Sequence, residues 1–404
     1  MKLALSFANF GPYHLARLRA LGERLAEAGG ELLACETAST EAQYPWRPAR
    51  GAEPFRTVTL FEGQVVEQIA RSACAQATER ELDRHQPDAV AVAGYVRPES
   101  LAAARWAIRN GKPAILMSES QEIDRPRVWW KEVAKRQRIK LFSAALVGGP
   151  RQRDYLVKLG MPANRIALGY NAVDNAWFAS QSAQARREFR SWHNQPYFLT
   201  VSRFATEKNL PRLVRAFARY RQSAAADGRQ AWDLVLCGAG PASGDVDSAI
   251  RASGVAEAIH RPGFLQSDAL VRWYAFASAF VLPSLSEPWG LVVNEAAACG
   301  LPLLVSTRAG CVETLVPDPP GDTGWRIDPA NEQGLTAHLS HMAALATPRR
   351  AAMGARAEEV ANDWGPERFA RGALEALAIA SEIGQGRRMG RSTHSTAAVK
   401  GGSA

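Results

Sequence analysis

The chain has 404 residues, more than one ordinary hydrophobic core serves, which implies two domains of roughly 150–200 residues each. Its composition, 47% hydrophobic and 22% charged, is that of a soluble globular protein, and it contains no apolar run of about 18 residues to span a membrane. The formal charge of +9 calls for an anionic partner, whether a phosphorylated small molecule, a lipid surface or nucleic acid.

The opening KLALSFA reads as a first strand rather than a signal peptide, because no small-residue cleavage site follows its short apolar run. NFGPYHLARLRAL then places Gly11 in the turn before a first helix and His14 in the first helical turn, facing an acceptor or a phosphate. ELLACE, AVAVAGY, PAILMSE and AALVGG follow as strands, and Ser118, Glu119 and Ser120 end the fourth strand of this half. Cys35, Cys74, Cys237, Cys299 and Cys311 are odd in number and form no C-x-x-C, so reduced cytoplasmic thiols are expected rather than zinc ligands or disulfides.

RVWWKEVAKRQRIKLF, Arg127–Phe142, is basic and carries two tryptophans; from Arg125 to Lys140 seven cations stand against one acid. Such a helix lies on anionic lipid or presents a solvated face over a buried stripe. Nucleic acid is disfavoured, since no recognition fold appears and the cations are not interleaved with stacking aromatics on a sheet. The polar stretch Asn175–Pro196 carries no strand signal and reads as a linker.

After it the strands resume as YFLTVSR, DLVLCG, AFVLPS and LPLLVS. Short continuous apolar runs separated by helices are the pattern of parallel sheets covered on both faces. The fold class is therefore α/β, two doubly wound Rossmann-like domains, with ligands at the carboxyl ends of the strands and a cleft where the sheets face each other. LTVSRFATEKNLPRL sets Arg203 and Lys208 behind the first strand of the second half, where two cations clamp a diphosphate. The glycines of VLCGAGP depart from G-x-G-x-x-G spacing, and no acid ends a strand about 20 residues on, which argues against a nicotinamide enzyme. GDVDS contains a D-x-D, but Asp245 there reads as a helix N-cap rather than a metal ligand.

SLSEPWGLVVNEAAACG, Ser284–Gly300, reads as a strand end, a loop, and a helix closed by Gly300. A helix start behind a parallel strand offers free N–H groups and a positive dipole end to a phosphate. Glu287 and Glu295 must then lie beyond its two ends, because like charges about 4 Å apart cost about 4 kcal/mol at an effective dielectric near 20. The loop spans at most about 10 Å and the helical residues add about 6 Å. That matches a sugar, a diphosphate and a ribose, and exceeds the roughly 5–9.5 Å of a glycosidase pair.

EPWGLVVNE resembles the E-x7-E motif of the large family of retaining glycosyltransferases with the GT-B fold, also called glycosyltransferase family four or group 1. The resemblance implies that Glu287 contacts the donor sugar, that the amides of Trp289, Gly290, Leu291 and Val292 hold sugar and phosphate, and that Glu295 binds the ribose hydroxyls. SRFATEKN is similar to the family's S-R-x-x-x-E-K-N, which puts Arg203 and Lys208 on the diphosphate. By the same resemblance Gly11 approaches the donor phosphate, Leu265 of GFLQ reads the base, and Gly310 and Glu313 lie behind the donor site. Many members carry a His or His-Asp pair near the anomeric carbon; this chain offers Glu119 there instead.

The activity implied is metal-independent, retaining transfer from a nucleoside-diphosphate sugar, without a cofactor. The acceptor is a glycan, a lipid-linked molecule or a small molecule, in bacterial polysaccharide or glycoconjugate synthesis. A cytoplasmic, peripheral membrane location follows if the basic helix docks. Catalysis rests on Glu287, Arg203, Lys208 and Glu119, with domain closure excluding water. The expected boundaries are an acceptor-side domain over 1–175, a linker over 176–195, and a donor domain over 196–365. A helix over 366–384 packs back on the first domain, and a Gly/Ser/Arg-rich tail over 385–404 is disordered. The motifs are specific in the second domain and loose in the first. Alternatives are a nucleotide-sugar epimerase, a phosphorylase, or a non-catalytic nucleotide-sugar binder.

Overall fold

The computed structural model describes residues 1–42, 51–189 and 195–398. The chain divides into two compact units. One comprises Met1–Glu122, Pro126–Ala172 and everything from Pro366 onward; the other comprises Ile123–Arg125 and Val173–Gly365.

The first unit runs β1 (Lys2–Phe7), α1 (Pro12–Glu27), β2 (Glu31–Thr40), β3 (Arg56–Val65), α2 (Arg71–His85), β4 (Ala89–Ala93), α3 (Pro98–Arg109), β5 (Ala114–Ser118), α4 (Trp129–Ile139), β6 (Ala144–Val147), α5 (Pro150–Lys158) and β7 (Ile166–Leu168). Its seven strands lie in the order β3-β2-β1-β4-β5-β6-β7, all parallel. The central strands are largely apolar because helices cover both faces; β5 and β6 have no exposed residue.

The second unit runs α6 (Asn175–Glu188), β8 (Tyr197–Val201), α7 (Leu210–Ala226), β9 (Asp233–Cys237), α8 (Ser243–Ala252), β10 (Ile259–Gly263), α9 (Ser267–Phe276), β11 (Ala279–Leu282), α10 (Leu291–Ala298), β12 (Leu303–Ser306), α11 (Val312–Leu315), β13 (Gly324–Ile327), α12 (Glu332–Ala344) and α13 (Thr347–Asn362). Its six strands, also parallel, lie in the order β10-β9-β8-β11-β12-β13. On α7 the apolar residues Leu210, Leu213, Val214, Phe217 and Tyr220 recur at helical spacing and bury one stripe against the sheet.

Three stretches differ from the sequence reading. The polar segment taken for a linker is largely helix α6, part of the second unit; 190–194 lie outside the described residues. Phe178, Ser182 and Ala185 form a sparse buried stripe at helical spacing, and Asp174 caps the start by accepting from Trp177 N–H. The tail taken for disorder continues as α14 (Pro366–Ala398), and 399–404 lie outside the described residues. Once its first turns are packed, each further residue adds a hydrogen bond without a new nucleation step. Finally, β3, β7, β10 and β13, which no apolar run announced, are the four edges of the two sheets.

Helix α14 belongs to the first unit by packing, not by sequence. Phe369, Ala370, Ala373, Ala376, Leu377 and Ala380 lie in one buried cluster with Leu15, Leu18 and Leu21 of α1.

Candidate functional site

In the second sheet the chain leaves β8 toward β9 on one side and resumes at β11 on the other. The loops after these two neighbouring strands diverge, which leaves a crevice at their carboxyl ends. The loop after β8 carries Arg203 and Lys208; the loop after β11 carries Glu287. Lys208 Nζ lies 2.5 Å from Glu287 Oε2, with both side chains largely buried, and Ser284 Oγ donates to the same oxygen at 3.4 Å. Arg203 Nη2 donates to Glu207 Oε1 at 3.0 Å. Its Nε is buried with no acceptor among the described residues, as is the Ser202 hydroxyl. Orphaned buried donors are costly, so they mark a place built for an acceptor.

One backbone bond and the Asn209 side-chain amide, which donates through Nδ2, lock the loops together. Leu285 N–H donates to Glu207 O at 2.8 Å, and Asn209, held at φ 59, spans from Pro283 O (3.1 Å) to Pro329 O (2.9 Å). The Gly238 and Gly240 turn serves this locking. A Cβ on Gly238 would stand 1.9 Å from Ser202 O, so these glycines admit the β8 loop rather than a dinucleotide.

Helix α10 begins where Gly290 turns the chain at φ 103. A Cβ there would meet Leu282 Cδ2 at 3.2 Å and Glu287 Cγ at 3.3 Å. Leu291 and Val292, half-buried, open the helix, and their N–H groups have no intrahelical acceptor by geometry. Trp289 is buried beneath them; its Nε1–H donates to Asn294 Oδ1 at 2.9 Å and its ring packs 5.5 Å from that of Trp364. Gly310 N–H donates to Glu287 O at 2.9 Å, which places Gly310 behind this loop, while Glu313 is exposed.

Glu295 sits differently from Glu287. It is 1% exposed and its Oε2 accepts from Tyr274 Oη–H at 2.7 Å, so a hydroxyl reaching it shares the carboxylate with that bond. Leu265 is half-buried just beyond β10. Asp245 is not the N-cap of α8; Ala242 is, and Asp245 stands in the first turn, while Asp247 pairs with Arg261. The helix thus starts three residues earlier than its acid would suggest.

In the first unit Gly11 takes an ordinary extended conformation and its N–H donates to His14 Nδ1 at 3.1 Å. His14 packs 4.3 Å from the Phe7 ring. Burial first, and Arg17 second, push its pKa down to about 3, so the imidazole is neutral and its proton sits on Nε2. A cationic contact to phosphate is therefore outside its reach at neutral pH. Arg17 is itself buried; its Nε donates to Ala172 O at 3.0 Å and its guanidinium lies over the Tyr170 ring. Glu119, after β5, accepts from Asn171 Nδ2 at 2.9 Å. Arg17, Tyr170 and Asn171 escaped sequence reading: each is ordinary in composition, and only Arg17, one turn beyond His14, stood near a quoted motif.

Residues 181–360 match the family model described as glycosyl transferases group 1. An alpha-D-kanosaminyltransferase of Streptomyces kanamyceticus is 30% identical over 202 residues, 48% of this chain and 50% of that protein. A D-inositol 3-phosphate glycosyltransferase of Paenarthrobacter aurescens is 31% identical over 221 residues, 53% of this chain and 51% of that protein. The chain thus spans about half the length of the curated relatives it matches. An Anabaena protein crystallised with UDP and glucose shares the fold at a TM-score of 0.70 and 16% identity, over 94% of this chain and 99% of that one.

Proposed function

We propose, from the premise that the second unit is a group 1 glycosyl transferase domain in a chain of GT-B fold, that this protein transfers a sugar from a nucleoside-diphosphate donor. The observation that supports this best is the β8–β11 crevice. There the buried, unsatisfied Nε of Arg203 and the Lys208 ammonium stand on the loop after β8, and the loop after the neighbouring β11 leads through Glu287, the partner of Lys208, into the start of α10. An anion with several oxygens satisfies all three, and a departing diphosphate does so increasingly as charge develops on it.

In this reading Arg203 and Lys208 hold the diphosphate, the Trp289–Val292 amides its oxygens and the sugar, and Glu287 a sugar hydroxyl. Lys208 then exchanges part of its bond to Glu287 for phosphate. Glu295 braces the helix through Tyr274 and meets the ribose hydroxyls by sharing that carboxylate. Transfer is retaining and needs no metal, the phosphate oxygen taking the acceptor's proton. That the Anabaena neighbour was crystallised with UDP is consistent with such a donor.

Thermal unfolding with UDP-, GDP-, ADP- and dTDP-sugars tests the reading. A donor at 100 times its dissociation constant stabilises by about 2.7 kcal/mol. One nucleotide is expected to raise the midpoint in wild type but not in Arg203→Ala, with transfer or slow donor hydrolysis persisting in EDTA. No shift with any nucleotide sugar refutes the assignment, and a strict metal requirement refutes its mechanism.

A further inference from the structure

The outward face of α4 has no role in the site described above. Val128, Trp129, Trp130 and Val133 are all exposed there, Trp129 at 78% and Trp130 at 55%, an adjacent apolar set on a single helix turn and its cap. A soluble surface rarely leaves two neighbouring tryptophans in water.

The charges around them are sorted. Glu132, the helix's one acid, turns inward and accepts from Lys135 Nζ at 2.7 Å and Tyr155 Oη–H at 2.9 Å. Arg127 closes this knot by stacking 4.3 Å from the Tyr155 ring. Ile139 is the buried anchor of the same inner face. Lys131, Arg136 and Lys140 are exposed along the same helix and its C-cap, Lys131 against the Trp130 ring, and no carboxylate pairs with them among the described residues. The outward face is therefore indole and cation with no acid.

We propose that this face docks the protein on a lipid surface bearing anionic headgroups, with Trp129 and Trp130 at the headgroup level and the three cations against the phosphates. Indole suits that depth, being apolar in body and polar at one edge, while each basic residue near the surface adds electrostatic attraction. No helix among the described residues is long and apolar enough to cross a membrane, so attachment is peripheral. The proposal stands independently of the donor chemistry.

Full-length protein is mixed with vesicles of equal parts phosphatidylglycerol and phosphatidylcholine, or of phosphatidylcholine alone, and sedimented. Binding is expected to the mixed vesicles only, weakening with salt. Trp129→Ser with Trp130→Ser should weaken it at least about tenfold. Lys131→Glu and Arg136→Glu should each weaken it about fivefold or more. The unfolding midpoint should not move, since all four side chains are in solvent. Absence of binding to anionic vesicles, equal binding to both compositions, or binding indifferent to these substitutions overturns the proposal. So does lipid-free self-association that the Trp substitutions abolish, which would assign the face to a second copy. If the Trp variant does not fold, the two charge reversals decide alone.

Discussion

Lys208 and Glu287 show how one contact serves both stability and chemistry. With both groups largely buried at 2.5 Å, removing one partner strands the other in a medium that penalises charge. Lys208→Met should therefore destabilise by about 3 kcal/mol in urea unfolding, and adding Glu287→Gln should recover part of that loss. A Lys208 variant without activity must accordingly be assayed well below its lowered midpoint. His14 makes a prediction of opposite character. Its folded pKa of about 3 lies below the ordinary 6.5 of a histidine, so the folded state refuses a proton that the unfolded chain accepts. Its contribution to stability is full above about pH 6.5 and is lost as pH falls toward 3, at up to about 1.4 kcal/mol per pH unit. The His14 ring resonances should not titrate between pH 5 and 8; a midpoint near 6.5 would refute the buried, Gly11-bonded imidazole. At this scale the compact motifs SRFATEKN and EPWGLVVNE singled out residues that the fold sets on the loops after β8 and β11. It did not show the Lys208–Glu287 pair, whose members stand 79 positions apart.

The elements were legible where they are central and obscure where they are peripheral. β1, β4, β5, β8 and β11 are mostly buried on both faces and read as runs in which apolar residues predominate. The edges mix signals: RTVTLFEGQV in β3 and IHRPG in β10 face solvent on one flank and accept Thr, Gln, Arg and Pro. Helix α6 was missed for a related reason, since its four buried positions include polar Asn175 and Ser182 and leave little apolar periodicity. The start of α10 depends on a single backbone demand. Gly290→Ala must hold a non-glycine residue at φ 103 with contacts of 3.2 and 3.3 Å. A cost of about 1–3 kcal/mol is expected, together with weaker nucleotide-sugar binding in calorimetry, because the amides of Leu291 and Val292 tilt with the turn. Unchanged affinity would show that the helix start is not the phosphate cradle.

At the scale of the molecule, the first unit is discontinuous in sequence: its core is completed by α14, more than 190 residues after β7 ends at Leu168. Phe369 is fully buried in that core, so Phe369→Ala should cost about 3–5 kcal/mol. Hydrogen exchange should register the loss in β1 and α1 while β8 and β9 keep their protection; a uniform loss would contradict the division. The sequence by itself determined the α/β class, the two doubly wound halves and the cationic and acidic loops at strand ends, because each is written in local periodicity and short motifs. Only the tertiary structure decided that β8 and β11 are neighbours, that Lys208 meets Glu287, that Glu295 is turned inward to Tyr274, and that α4 shows its tryptophans to solvent. Those facts depend on which distant segments share a face, and burial is a property of the packed chain rather than of any stretch of it.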